Sequence, residues 1–216
     1  MKGKTVVIVV VAALALAVTA LAAAGVVRGT AGDDVLTGTP NADLIRGFAG
    51  NDTLDAGVGN DVLRTGRGDD TANAGDGNDL LFGGLGKDTL NGDNGRDRAW
   101  GGSDADTVNG GNDNDRLHGG KGDDTVDGGE GNDVLYGGWG SDTVRGGNGD
   151  DRLHALARDG QADTLDCGEG ANDRAYVRFA EKDITTVIGC EKVFVVKVAR
   201  PGDLAGEAAN EDAGAE

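Results

Sequence analysis

Fourteen aspartates stand nine residues apart without one slip: Asp34, Asp43, Asp52, Asp61, Asp70, Asp79, Asp88, Asp97, Asp106, Asp115, Asp124, Asp133, Asp142 and Asp151. Each closes a glycine-rich run, best preserved as Gly119-Gly-Lys-Gly-Asp-Asp124, Gly128-Gly-Glu-Gly-Asn-Asp133, Gly137-Gly-Trp-Gly-Ser-Asp142 and Gly146-Gly-Asn-Gly-Asp-Asp151. A turn whose carbonyls face one way, with a carboxylate at a fixed place, offers hard oxygen donors and no soft ones. Such a set suits Ca²⁺ far better than zinc or copper.

The elements that must position these acids follow from the rest of the unit, Gly-Gly-x-Gly-x-Asp-x-apolar-x, which runs from Gly29 to His154. Its eighth position is Leu, Ile or Val, from Leu36 and Ile45 to Val144 and Leu153, and falls short only at Ala72 and Ala99. One buried residue therefore recurs in every unit. The fourth position is Gly except at Asn41, Asp104 and Asp113, the residue types that best tolerate a left-handed backbone. Positive φ is expected there.

Alternate units differ. In odd units the seventh position reads Val35, Thr53, Thr71, Thr89, Thr107, Thr125, Thr143 and the ninth is mostly Asp or Asn. Even units carry Arg46, Arg64, Phe82, Trp100, His118, Tyr136 and His154 at the ninth. An eighteen-residue coil of two strands and two turns produces this split, because odd strands then stack in one parallel sheet and even strands in another. The eighth side chain points inward, the seventh and ninth outward. Each cation would lie between turns on one edge, two units apart. The gaps Asp124/Asp142 and Asp133/Asp151 have the best-formed turns; Asp43, Asp61 and Asp70 have the poorest, as Thr39, Ala56 and Thr65 show.

The repeat resembles the RTX, or haemolysin-type, calcium-binding nonapeptide repeat over 126 of 216 residues. The resemblance implies an all-β parallel β-roll, here a solenoid of about seven two-strand coils, with turn carbonyls and the aspartates of adjacent coils ligating several Ca²⁺ ions.

Outside the repeats, residues 1–24 carry Lys2 and Lys4, an apolar run from Val6 to Ala24, and a small-residue end, which reads as a signal peptide; the alternative is an uncleaved N-terminal anchor. Residues 25–154 form the calcium-binding roll, 155–200 hold degenerate repeats and a short C-terminal β cap, and 201–216 form a disordered acidic tail. Cys167 and Cys190 are the only cysteines, and in an exported chain they are expected to pair. A secreted, extracellular protein follows.

Net charge is −18, which makes nucleic acid and anionic membranes poor partners. No His-Glu-x-x-His or Gly-x-Ser-x-Gly occurs, so the zinc-protease and lipase readings fail and no enzyme is expected. His118 and His154, two coils apart, are expected to be about 19 Å apart on an outer face. The even-strand face, with Phe82, Trp100 and Tyr136 beside Arg98 and Arg116, is where a carbohydrate or protein partner would dock. That makes a surface binding or adhesion module, with a passive spacer or calcium buffer, or an enzyme of unrecognised type, as the alternatives.

Overall fold

The computed structural model describes residues 7–9, 25–155, 161–178 and 186–196. Two wholly parallel sheets face each other, one of 11 strands and one of 9, and no helix occurs among the described residues. Odd units build the smaller sheet and even units the larger. Pairing is in register, Thr on Thr as in Thr71↔Thr89 and apolar on apolar as in Leu63↔Leu81.

That register follows from burial. All fourteen eighth-position side chains, from Leu36 to Leu153, are at most 1% exposed. Two residues further along, strand alternation turns the first position of the next unit inward as well, where only Gly47, Ala56, Thr65, Ala74 and other small residues stand. Most strands thus give the core one large side chain and one small residue, with Ala72 and Ala74 or Ala99 and Gly101 the exceptions, which lets the two sheets close tightly. Burying each Leu contributes about 1.5–3 kcal/mol, and a shift by one residue would expose the whole set.

Outward side chains stack along the axis. On the odd sheet Asn91 Nδ2 donates to Asn73 Oδ1 and Asn109 Nδ2 to Asn91 Oδ1, both at 2.7 Å. On the even sheet the rings of Phe82, Trp100, His118, Tyr136, His154, Tyr176 and Phe194 form one ladder, with centroid steps of 4.3 Å at the closest and 5.6 Å at the widest.

The 9-stranded sheet makes about nine windings where seven were expected. The surplus comes from the segment read as a cap. Thr164–Asp166 and Thr186–Ile188 extend the odd sheet, pairing Thr143↔Thr164 and Thr164↔Thr186. Arg174–Arg178 and Lys192–Val196 extend the even sheet. The last strand does not fold across the open end: Val193 and Val195, in line with buried Ala175 and Val177, are 48% and 56% exposed. Cys167 and Cys190 are disulfide-bonded as expected, tying the last two windings together.

At the other end Val26–Arg28 is an even-sheet strand, and Val7–Val9 pairs with it in parallel. The rest of the expected signal peptide, residues 156–160 of the phase break and the acidic tail lie outside the described residues.

Candidate metal sites

The sixth-position aspartates form two columns, one along each edge of the roll. Asp34, Asp52, Asp70, Asp88, Asp106, Asp124 and Asp142 follow one edge, and Asp43, Asp61, Asp79, Asp97, Asp115, Asp133 and Asp151 the other. None is more than 7% exposed. Within a column each backbone N–H donates to Oδ1 of the aspartate one winding on. The distance is 2.8 Å from Asp106 to Asp124, 3.0 Å from Asp124 to Asp142, and 2.8 Å from Asp133 to Asp151. The gaps with poorer turns keep the same bond, 2.7 Å from Asp43 to Asp61 and 2.6 Å from Asp52 to Asp70.

Both columns run past the regular repeat. Asp142 N–H donates to Asp163 Oδ1, Asp151 N–H to Asp173 Oδ1, and Asp173 N–H to Glu191 Oε2. Counting in nines misses these three because the sequence step widens to 21 and 22 residues. The surviving signal is the acid-x-apolar step itself, as in Asp163-Thr-Leu165 and Glu191-Lys-Val193.

The second carboxylate oxygen is the unusual one. Oδ2 of Asp52, Asp61, Asp79, Asp88, Asp97, Asp106, Asp115, Asp124, Asp133 and Asp151 is buried with no hydrogen-bond partner. Buried polar atoms rarely stay unpaired. In the first two turns, by contrast, the Thr30 and Thr39 N–H groups donate to Oδ2 of Asp34 and Asp43.

The oxygens of Asp52, Asp88, Asp97, Asp106, Asp115, Asp124, Asp133 and Asp151 face a cradle that depends on glycine. A Cβ at Gly83 would stand 2.4 Å from both Asp88 Oδ2 and the Gly101 carbonyl oxygen; at Gly119 the values are 2.5 Å to Asp124 Oδ2 and 2.6 Å to the Gly137 carbonyl. A carboxylate of one winding and a carbonyl of the next therefore converge on space that only a bare first position leaves open. Ala56, Thr65 and Ala74 take up that space ahead of Asp61, Asp70 and Asp79, and Thr65 Oγ1 donates to the Gly83 carbonyl at 2.7 Å. Asp79 thus joins Asp61 and Asp70 among the compromised turns, since Ala74 replaces its leading glycine as Ala56 does that of Asp61.

Fourth-position residues adopt positive φ as expected, including Asp104 at 79° and Asp113 at 73°, but Gly32, Asn41 and Gly77 are exceptions. The second position is left-handed too, as at Gly102, Phe48 and Asp93, where φ is 126°, 86° and 71°. The glycine at the second position was the signal for this.

Burial drives the acidity of the columns down. It pushes Asp88 and Asp115 up to about 8, Asp97, Asp124 and Asp133 to about 7, and Asp52, Asp79, Asp106 and Asp151 to about 6. The N–H bond from the preceding winding opposes this in each case, and neighbouring carboxylates reinforce it at many. Asp61, Asp70 and Asp173 are raised for the same reason.

No three Asp, Glu, His or Cys groups converge among the described residues, so side chains alone make no cage. Carbonyls must complete the donor set, which is ordinary for a hard divalent cation. Unpartnered Oδ2 atoms, carbonyls aimed at the same space and mutual repulsion along each column all fit Ca²⁺. Oδ2 of the aspartates behind intact glycine cradles, with the first-position carbonyls, would hold it.

His118 and His154 are far closer than about 19 Å. Tyr136 lies between them at 4.3 Å and 4.4 Å, so the imidazoles are separated by less than half that distance. Windings one coil apart stack at single-strand spacing. Burial lowers the pKa of both histidines, that of His154 to about 4, which keeps these rings neutral within the stack.

A parallel two-sheet solenoid with a carboxylate column down each edge is a cation-binding β-roll. The RTX calcium-binding nonapeptide repeat (4 copies) profile matches residues 28–63, 56–90, 64–99, 83–117, 91–126, 100–135 and 118–153, which together make one continuous stretch over more than half of the chain. The chain belongs to that family, whose repeats bind several Ca²⁺ ions in their turns. No curated protein matches it.

Proposed function

We propose that this chain is an exported, non-enzymatic binding module that orders into its roll as calcium fills the turns. The observation that carries this reading is the series of buried, unpartnered Oδ2 atoms from Asp52 to Asp133. When bound, calcium supplies the positive charge that lets neighbouring carboxylates ionise together. At low calcium near neutral pH those carboxylates must either stay protonated or repel one another, and the roll opens. Folding is then reserved for calcium-rich surroundings outside the cell, and the apolar run from Val6 to Ala24 fits export there.

The acids are committed to two columns and the histidines to a ring ladder, which supports a binder over an enzyme. The even sheet is the binding face, because aromatic and Arg side chains are concentrated on it. Circular dichroism of the full chain, titrated with Ca²⁺ and separately with Mg²⁺, tests the folding claim. Cooperative gain of β signal with calcium alone is expected; a spectrum indifferent to calcium defeats it. For the binding face, Trp100→Ser with Tyr136→Ser should abolish partner capture while the calcium midpoint stays put. A spacer would lose nothing by that change.

A further inference from the structure

The even sheet carries a second pattern besides its rings. Strand register aligns Arg28, Arg46 and Arg64 at the ninth position of successive windings. Where Phe82 takes over that column, the cations move to the seventh, at Arg98, Arg116, Arg152, Arg174 and Lys192, interrupted only by Val134. The two outward columns contain no carboxylate from Val26 to Phe194. In a chain of net charge −18 with only 20 Lys and Arg, this one face gathers eight of them. Strand stacking makes the track roughly 43 Å long.

Several of these groups are held ready. Arg64 lies over the Phe82 ring at 5.1 Å and Arg116 over the Tyr136 ring at 5.2 Å, and Arg116 Nη2 donates to Tyr136 Oη at 3.3 Å. Arg28, Arg64, Arg98, Arg116, Arg152 and Lys192 are exposed, and the buried Nε of Arg46 has no acceptor. The opposite face is of the other sign: its ninth column carries Asp55, Asp127 and Asp166 against one cation, Arg145.

We propose that this track binds a linear anionic polysaccharide, one bearing sulfate or carboxylate groups, laid along the roll axis. The proposal rests on the even sheet being the binding face. A row of guanidinium forks spaced by the strand repeat fits a chain with charges at sugar-length intervals. The rings define what else can bind. Each interior ring of the ladder is stacked on both sides, with planes within 14° of parallel, and Arg64 covers the outer side of Phe82, so only the terminal Phe194 keeps an open face and the ladder offers no run of platforms for the bases of a single-stranded nucleic acid. Ring edges and the polar tips of Trp100, Tyr136 and Tyr176 remain to meet sugar hydroxyls. A duplex, with its denser charge, would meet the repulsion of the acidic columns at both edges.

Binding of size-fractionated heparin to the full, calcium-loaded chain tests this, with neutral dextran and duplex DNA as comparison arms. Heparin should bind with an affinity that falls steeply with salt, and dextran should not bind. Arg98→Gln with Arg116→Gln, and separately Arg28→Gln with Arg64→Gln, should each weaken heparin binding about tenfold or more, whereas Arg145→Gln on the opposite face should leave it unchanged. Dichroism in calcium shows that each variant is folded, and the two Gln pairs guard against one of them failing to fold. A folded wild type that ignores heparin, Gln variants that bind it undiminished, or a preference for DNA would each overturn the proposal. Loss of calcium-dependent folding in the wild type would instead defeat the wider functional reading.

Discussion

Asp124→Asn should move the stability of the roll in opposite directions with and without calcium. Asparagine keeps an oxygen to accept the Asp106 N–H, now at 2.8 Å, and its amide can donate to the Gly137 carbonyl across the cradle. What it lacks is the charge. The carboxyl of Asp124 is raised by burial from 3.8 to about 7, so its stabilising effect is present below pH 4 and is lost as pH rises through 7. At pH 8 that shift corresponds to a ceiling of about 4 kcal/mol. Screening by the water around the turn reduces the expectation to about 1–2 kcal/mol. Asparagine removes this term, so in chelator at pH 8 the variant should fold at a lower concentration of sucrose, an osmolyte that favours the compact state. In calcium the sign reverses. Losing one well-saturated site costs about 2–3 kcal/mol at a hundredfold excess over its dissociation constant, so the calcium midpoint should rise. Dichroism at fixed pH reads both midpoints. Two midpoints moving toward easier folding would mean that the carboxylate is no ligand; two moving toward harder folding would mean that it acts only through its hydrogen bond.

Acidification alone should order the calcium-free chain between pH 8 and pH 5, as Asp88, Asp115, Asp97, Asp124 and Asp133 take up protons in the folded state, while the same acidification in calcium should raise the calcium midpoint; an apo spectrum flat across that range would refute the burial argument. Gly119→Ala and Gly57→Ala separate ligation from backbone strain. The first puts a methyl against Asp124 Oδ2 and the Gly137 carbonyl and should lower the number of bound ions in equilibrium dialysis, whereas the second forces φ of 97° on an L-residue with no atom nearer its methyl than the Thr39 carbonyl at 3.8 Å, and should cost about 1–2 kcal/mol with the ion count unchanged. Reducing Cys167–Cys190, 23 residues apart, should cost about 3 kcal/mol locally. Hydrogen exchange should then rise across Thr164–Asp166 and Lys192–Val196 and stay low at Thr107–Asn112.

Periodicity made most of this fold legible. A residue type that returns every nine positions reports one environment, and the split between odd and even units reported the two sheets, because Thr71, Thr89 and Thr107 could not share neighbours with Phe82, Trp100 and His118. Two features were partly hidden. Which atom of the next winding stands over a turn's first position cannot be read locally, although the loss of the leading glycine can: Ala74 departs from it ahead of Asp79 just as Ala56 does ahead of Asp61. The last windings were legible only as degenerate units at Asp163-Thr-Leu165 and Asp173-Arg-Ala175, because counting fails once the spacing changes, although strand pairing does not: Thr143 still meets Thr164, and His154 still meets Tyr176.

That difference explains how the roll ends. An insertion inside a strand would turn every following side chain to the wrong face, whereas here the strands keep their register and the aspartate column lengthens its sequence step while keeping its hydrogen bond. The cost falls on the cradle. Beside Gly146, the next winding supplies Cys167, with its carbonyl 2.4 Å from the place of a Cβ on that glycine. Cys167 itself fills its own first position, where a bare glycine would be needed to continue the cation sites. Its sulfur bonds instead to Cys190 in the following winding. A covalent link thus takes over the holding of adjacent windings at the point where the glycine turns give out. Calcium removal should accordingly open the roll from its middle turns while the Cys167–Cys190 end stays joined, and reduction should reverse that order.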